Sequence, residues 1–116
     1  MSEPLLISIL EITGCPYAVA ASDGDRVREE IAPALLEGRQ ITLSFRGIEF
    51  VVSAFLSAAI GQLYGHFPEA KVDRLVTVQD LPPGTDAIVN SARAWAKAFY
   101  RDPTTYNRAI QEALDE

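Results

Sequence analysis

Of the 116 residues, one is cysteine, one histidine, one tryptophan and one methionine. The lone cysteine, Cys15, allows no disulfide within the chain, and a reducing compartment is the simplest expectation. The lone histidine, His66, excludes a paired-histidine metal site. Its place after an apolar run suits an exposed residue or one that favours a helix end. Positive charge is scarce: Lys and Arg number 10 against 16 Asp and Glu, a net charge of -6, with no basic run. That balance argues against phosphate-neutralising nucleic-acid binding and against adsorption to an anionic membrane. No apolar run approaches the ~20 residues of a membrane span. The stretch MSEPLLISILEITG puts Glu3 where an export signal carries positive charge, and no small-residue cleavage motif follows. A soluble, cytoplasmic protein is expected.

Catalytic signatures are missing as well. No glycine-rich phosphate loop follows a strand, and no Walker lysine is present. Ser53 sits in Val52-Ser53-Ala54 rather than in Gly-x-Ser-x-Gly. Asp23, Asp25, Glu29 and Glu30 crowd together, but a helix start and its solvated face account for them better than a magnesium site does. No catalytic residue, cofactor or metal is expected, and the chain is not read as an enzyme.

What is present is an ordinary globular balance, 48% hydrophobic and 22% charged. The length fits one domain over 1–116, with 102–116 as an additional carboxy-terminal helix. A domain this size buries roughly 65% of its unfolded surface, enough for a core without staples. The chain is organised around Arg39 to Gly65. Ile41, Leu43 and Phe45 alternate with Thr42 and Ser44, a strand pattern, and Gly47 allows the turn that follows. A second apolar run spans Ile48 to Val52. Phe55, Leu56, Ala59, Ile60, Leu63 and Tyr64 then recur at helical spacing, with Ser53 placed to cap. A second face of that helix is small: Ser53, Ser57 and Gly61, with Ala54 and Ala58 beside them. It suits either close packing within the domain or a docking surface.

Before this stretch, Leu5 to Ile12 is expected as a strand, and Tyr17 to Ala20 as its hairpin partner after the Thr13–Pro16 turn. A helix capped by Ser22 or Asp23 follows. It buries Val27, Ile31, Ala34 and Leu35, turns Arg26, Arg28, Glu29 and Glu30 to solvent, and is kinked or broken at Pro33. After it, a loop at Pro68–Ala70 leads to a strand from about Leu75 to Val78. A helix then starts at Thr85 or Asp86, with Ile88, Ala92, Trp95 and Phe99 as its buried stripe. Asp102-Pro103 opens a last helix, with Tyr106, Ile110, Ala113 and Leu114 on one face. The expected fold is α/β: a sandwich with a mixed sheet of about four strands and helices packed mainly on one face.

The run Ile41-Thr42-Leu43-Ser44-Phe45-Arg46-Gly47-Ile48, then Ser53-Ala54-Phe55-Leu56 and Ala58-Ala59-Ile60-Gly61-Gln62-Leu63-Tyr64-Gly65, resembles the STAS-like domain-of-unknown-function family. The resemblance runs from about Asp23 to Arg101. It implies a fold similar to anti-sigma factor antagonists. In those proteins a serine at the start of the corresponding helix is phosphorylated by a partner that is both a histidine-kinase-type ATPase and an anti-sigma factor. Ser53 matches that serine by position. The neighbours depart: antagonists usually place an acidic residue before the serine and Ser-Gly after it, where this chain has Val52, Ala54 and Phe55.

The first expectation is therefore a small regulatory module that binds another protein. Its contact residues would be Ser53, Ala54, Ser57 and Gly61, with the loop Arg46, Gly47 and Glu49. A phosphate on Ser53 would place about two negative charges on an apolar contact surface. A second expectation is a compact ligand-binding or enzymatic domain, with a polar site at Asp23, Arg26 and His66 near Gly14, Cys15 and Ser22. A third is self-association through the alanine-rich carboxy-terminal helices.

Overall fold

The alternation at Ile41, Leu43 and Phe45 becomes the middle of the molecule. In the computed structural model, which describes residues 3–101, Ile41–Ser44 is the central strand, β3, of a three-stranded parallel sheet. Leu5–Ser8 (β1) flanks it on one side and Val76–Gln79 (β5) on the other. Ile41 stands between Leu5 and Val76, and Leu43 between Ile7 and Val78. Ile41, Leu43 and Ser44 are all buried, as fits a strand with neighbours on both sides.

The chain order is β1, α1 (Ile9–Thr13), β2 (Tyr17–Ala18), α2 (Ala21–Leu36), β3, β4 (Phe50–Val51) and α3 (Ser53–Ala59). A 3-10 helix (Gly61–Gly65), α4 (Glu69–Leu75), β5 and α5 (Asp86–Arg101) complete it. The class is α/β as expected, but the sheet differs. Among the described residues there is no single mixed sheet of about four strands: β2 and β4 form a separate two-stranded sheet, and every pairing there is parallel. The expected hairpin fails for a local reason. The Ser8 hydroxyl accepts the amide of Glu11 and ends β1 there, so Ile9–Thr13 is helical where the strand was expected to continue. Gly14, at φ 71, closes that helix, and β2 emerges alongside Phe50 and Val51 instead of β1.

Other boundaries shift too. The α2 helix is capped by Ala20 with no side-chain bond, so neither Ser22 nor Asp23 caps it. It runs unbroken through Pro33, which lies in its last turn and removes one rung of the ladder there. Val52 occupies the cap position of α3, again without a side-chain bond; Ser53 is the first helical residue. The expected single helix from Ser53 to Tyr64 is two pieces, α3 and the 3-10 helix, joined at Ile60. Pro68–Ala70 opens α4 rather than a loop, with Val72 and Leu75 buried. The helix expected after Pro103 lies outside the described residues.

Phe45 and Phe55 meet edge to face at 6.4 Å in the core, among fully buried Ile9, Ile31, Leu35, Leu56, Leu63 and Val72. Burying a side chain of this kind contributes about 1.5–3 kcal/mol, so this cluster outweighs any single polar contact in holding the layers together. Gly47, at φ 85, makes the turn after β3. A Cβ there would also lie 2.8 Å from the Leu10 side chain, so the turn sits directly on α1.

Candidate functional site

Helix α3 has two working sides. Phe55, Leu56, Ala58 and Ala59 are buried, and α2 approaches this side at Gly24. Ser53 and Ser57 are exposed on another side and line a groove whose opposite wall is α5. The groove has a volume of about 800 Å³. Phe50, Val51 and Val52 continue the α3 wall; Ala87, Ile88, Ser91, Ala92 and Trp95 form the other. No lining residue carries a charge, and the polar side-chain groups are the hydroxyls of Ser53, Ser57 and Ser91 and the indole N–H of Trp95. A smaller hollow of about 220 Å³ continues it along α5 past Gly61, Ala96, Phe99 and Tyr100. There the helices close up: a Cβ on Gly61 would lie 3.4 Å from that of Ala96.

Two polar assemblies set these walls. Arg28 reaches from α2 to the end of α3, donating from Nη1 to the carbonyl of Ala58 (2.9 Å), to Gln62 Oε1 (2.7 Å) and to Asp25 Oδ1 (2.8 Å). A cation thus sits on a carbonyl in the last turn of α3. Arg28 was expected to face solvent, yet its side chain is mostly covered. On α5, Arg93 donates to the Val76 carbonyl (2.7 Å) and to the Tyr64 hydroxyl (3.0 Å), and that hydroxyl donates to Asp73 (2.5 Å). Lys97 pairs with Asp73 at 2.7 Å, and Arg101 with Glu69 at 2.7 Å. Burial, helped by the bond to Asp73, pushes the Tyr64 hydroxyl up to about 12. Burial also pushes Asp73 up, but the bonds from Lys97 and Tyr64 outweigh it and hold its carboxyl below the usual range. These bonds tie α5 to α4, β5 and the 3-10 helix.

The residues singled out from the sequence separate. Ser53 and Ser57 line the large groove, and Ser57 and Gly61 line the small one. Ala54 is exposed but lines neither. Arg46, Gly47 and Glu49 lie on the turn over α1, where the Glu49 amide donates to the Pro16 carbonyl at 2.7 Å. Asp23 and Arg26 pair with each other at 3.4 Å on α2. His66 ends the 3-10 helix, exposed. Neither cavity includes any of these three. Cys15 is exposed, with its Sγ 3.6 Å from the Tyr17 carbonyl. Among the described residues no group of three acidic, His or Cys side chains is placed to hold a metal.

Sequence reasoning missed the second wall. Trp95, expected in the buried stripe of its helix, is 63% exposed; Phe50, in the second apolar run, is 59% exposed. The signal was the composition around Trp95. Ala92, Ala94 and Ala96 leave a large ring on a helix surface of small residues.

The family model described as STAS-like domain of unknown function (DUF4325) matches residues 23–85. The chain belongs to this family. No curated protein and no solved structure matches it. The match to the STAS-like model takes in α2 through β5, so the Ser53 wall of the groove lies inside it. The α5 wall lies beyond its end at residue 85. Among the described residues no helix is long and apolar enough to cross a membrane.

Proposed function

We propose that this STAS-like domain is a regulatory module that works by binding another protein. The partner class is a histidine-kinase-type ATPase, as the resemblance to anti-sigma factor antagonists implies. The observation that carries the reading is the uncharged groove beside Ser53. Exposed Phe50 and Trp95 stand at its walls, and the serine that corresponds to the antagonists' phosphorylated residue stands inside it. Aromatic residues in a desolvated pocket are the usual anchors of protein contacts. Ser53 and Ser57 present their small side chains beside them, which lets a partner approach close to backbone.

Ser53 is the switch in this reading. It is exposed and takes no part in capping α3, so modification costs the helix no bond. A phosphate there would set about two negative charges against walls that offer no cation, and a partner packed on them would leave the charge unpaired. The test is binding of the full chain to such an ATPase with Ser53 intact, as Ser53→Asp and as Ser53→Ala. Lost binding by the aspartate variant and retained binding by the alanine variant, both folded by circular dichroism, is the expected result. Equal binding by all three removes the switch.

A further inference from the structure

The two edges of the parallel sheet differ. At β5 the outer edge is met by α5, where Arg93 donates to the Val76 carbonyl at 2.7 Å. At β1 the Leu5 amide turns inward to the Gln40 carbonyl (2.8 Å). Strand alternation therefore turns the backbone groups of Pro4, Leu6 and Ser8 outward. Among the described residues no hydrogen bond outside the ladder with β3 reaches Leu6, and its side chain is 64% exposed. An edge of this kind is a template for another strand. We infer that two copies of this chain pair antiparallel along β1, about a two-fold axis at Leu6, and join their three-stranded sheets into one.

What selects a second copy is that β1 complements itself. About this axis Leu6 exchanges both of its backbone bonds with its counterpart, and Ser8 stands opposite Pro4. Proline has no amide to donate. The Ser8 carbonyl needs none, because Ser8 caps α1 and a capping residue's carbonyl already accepts the first bond of its helix. The Ser8 amide lies outside that helix and reaches the Pro4 carbonyl of the other copy. An unrelated strand on this edge would leave a carbonyl facing Pro4 without a donor, so the proline that guards the edge against other strands admits this one. The side chains agree. Leu6 meets Leu6 on one face and Leu5 meets Ile7 on the other, so the three inner pairs of the register are all apolar. They are a small contact beside a standard interface of about 1,600 Å², so the dimer forms and dissociates with concentration. The pairing does not depend on the docking reading of the groove.

Sedimentation of the full chain, from micromolar to near-millimolar concentration, tests the pairing. Wild type is expected to pass reversibly from monomer to dimer. Leu6→Lys sets like charges directly opposite each other on the axis and is expected to weaken the dimer roughly tenfold or more. Because Leu6 is exposed, the thermal midpoint of this variant at low concentration should match wild type. Trp95→Lys, in the groove, is expected to leave the dimer intact. A monomer at every concentration overturns the inference, and so does a dimer that Leu6→Lys leaves unchanged. A dimer lost in Trp95→Lys alone overturns it in favour of the groove as the contact. A second measurement reads the register. In a hydrogen-bonded antiparallel pair the opposed Cα atoms lie about 5.5 Å apart, within disulfide reach. In a Cys15→Ser background, Leu6→Cys is expected to form a disulfide dimer in air. Thr77→Cys, exposed on β5 of the same sheet, is expected to stay monomeric. No cross-link at Leu6→Cys, or equal cross-linking at both positions, overturns the two-fold at Leu6.

Discussion

Gly24 of α2 lies so close to Phe55 of α3 that a Cβ on it would stand 2.5 Å from the Phe55 carbonyl oxygen and 2.8 Å from the Ala58 side chain. The two helices meet there nearly backbone to backbone, and this contact fixes how α3 presents its other side to the groove. In an exposed helix, alanine in place of glycine would gain up to ~1 kcal/mol. At Gly24 the collision should win. Gly24→Ala is expected to cost about 1–3 kcal/mol through overpacking, read as a fall in thermal midpoint. Ala58→Gly added to it should not restore stability, because the carbonyl oxygen remains in place.

Arg28 leads to a second expectation. Its Nη1 bridges the Ala58 carbonyl, Gln62 and Asp25, so Arg28→Met keeps the apolar stem and loses these bonds. A loss of about 1.5–3 kcal/mol is expected for hydrogen bonds made by a charged group. Arg26→Met serves as the comparison. Its one ion pair, to Asp23, is long and exposed, and such pairs contribute about 0–1 kcal/mol. Chemical denaturation of both variants checks the difference.

These two arginines also mark where sequence reasoning stopped. Both sit on α2, two positions apart, and helical periodicity places both outside the core stripe of Val27, Ile31 and Leu35. It cannot say that α3 ends beside one of them. Strand β3 was legible because Ile41, Leu43 and Phe45 alternate over enough residues to state a period. The two-residue strands β2 and β4 are too short to have a period, and their parallel pairing follows from how α1 redirects the chain. Helix α4 was hidden because Val72 and Leu75 lead straight into Val76 and Val78, so helix and strand read as one apolar run. The groove was half legible. The small residues Ser53, Ser57 and Gly61 announced a close approach, but the stripe Ile88, Ala92, Trp95, Phe99 reveals only a shared face, not which member is covered.

The tie between α5 and the sheet predicts how stability depends on pH. Tyr64 has its hydroxyl pKa raised from 10.0 to about 12 in the folded protein. Its contribution is therefore complete below pH 10 and is lost as pH rises through about 12, because the unfolded chain releases the proton first. Asp73 behaves oppositely. Its pKa is lowered from 3.8, so its contribution is present above that value and fades as pH falls below it. Tyr64→Phe is expected to flatten the alkaline arm and leave most of the acid arm. Thermal midpoints measured from pH 3 to 12 test this; an unchanged alkaline slope in Tyr64→Phe would contradict the assignment.

Ser57 separates the groove's shape from the domain's stability. It lines both hollows, and its side chain is exposed, so a larger residue there fills the groove without entering the core. Ser57→Phe should change stability by no more than about 0.5 kcal/mol, as surface substitutions away from special features do. It should nonetheless remove the space between α3 and Trp95 that a docked partner needs. Ala54→Phe, one helical position that lines neither hollow, adds the same bulk outside it. The expected pattern is lost ATPase binding for Ser57→Phe and retained binding for Ala54→Phe, with matching thermal midpoints. Lost binding in both would move the contact from the groove to the outer face of α3, where Ala54 lies. Retained binding in both would take the partner off this helix altogether.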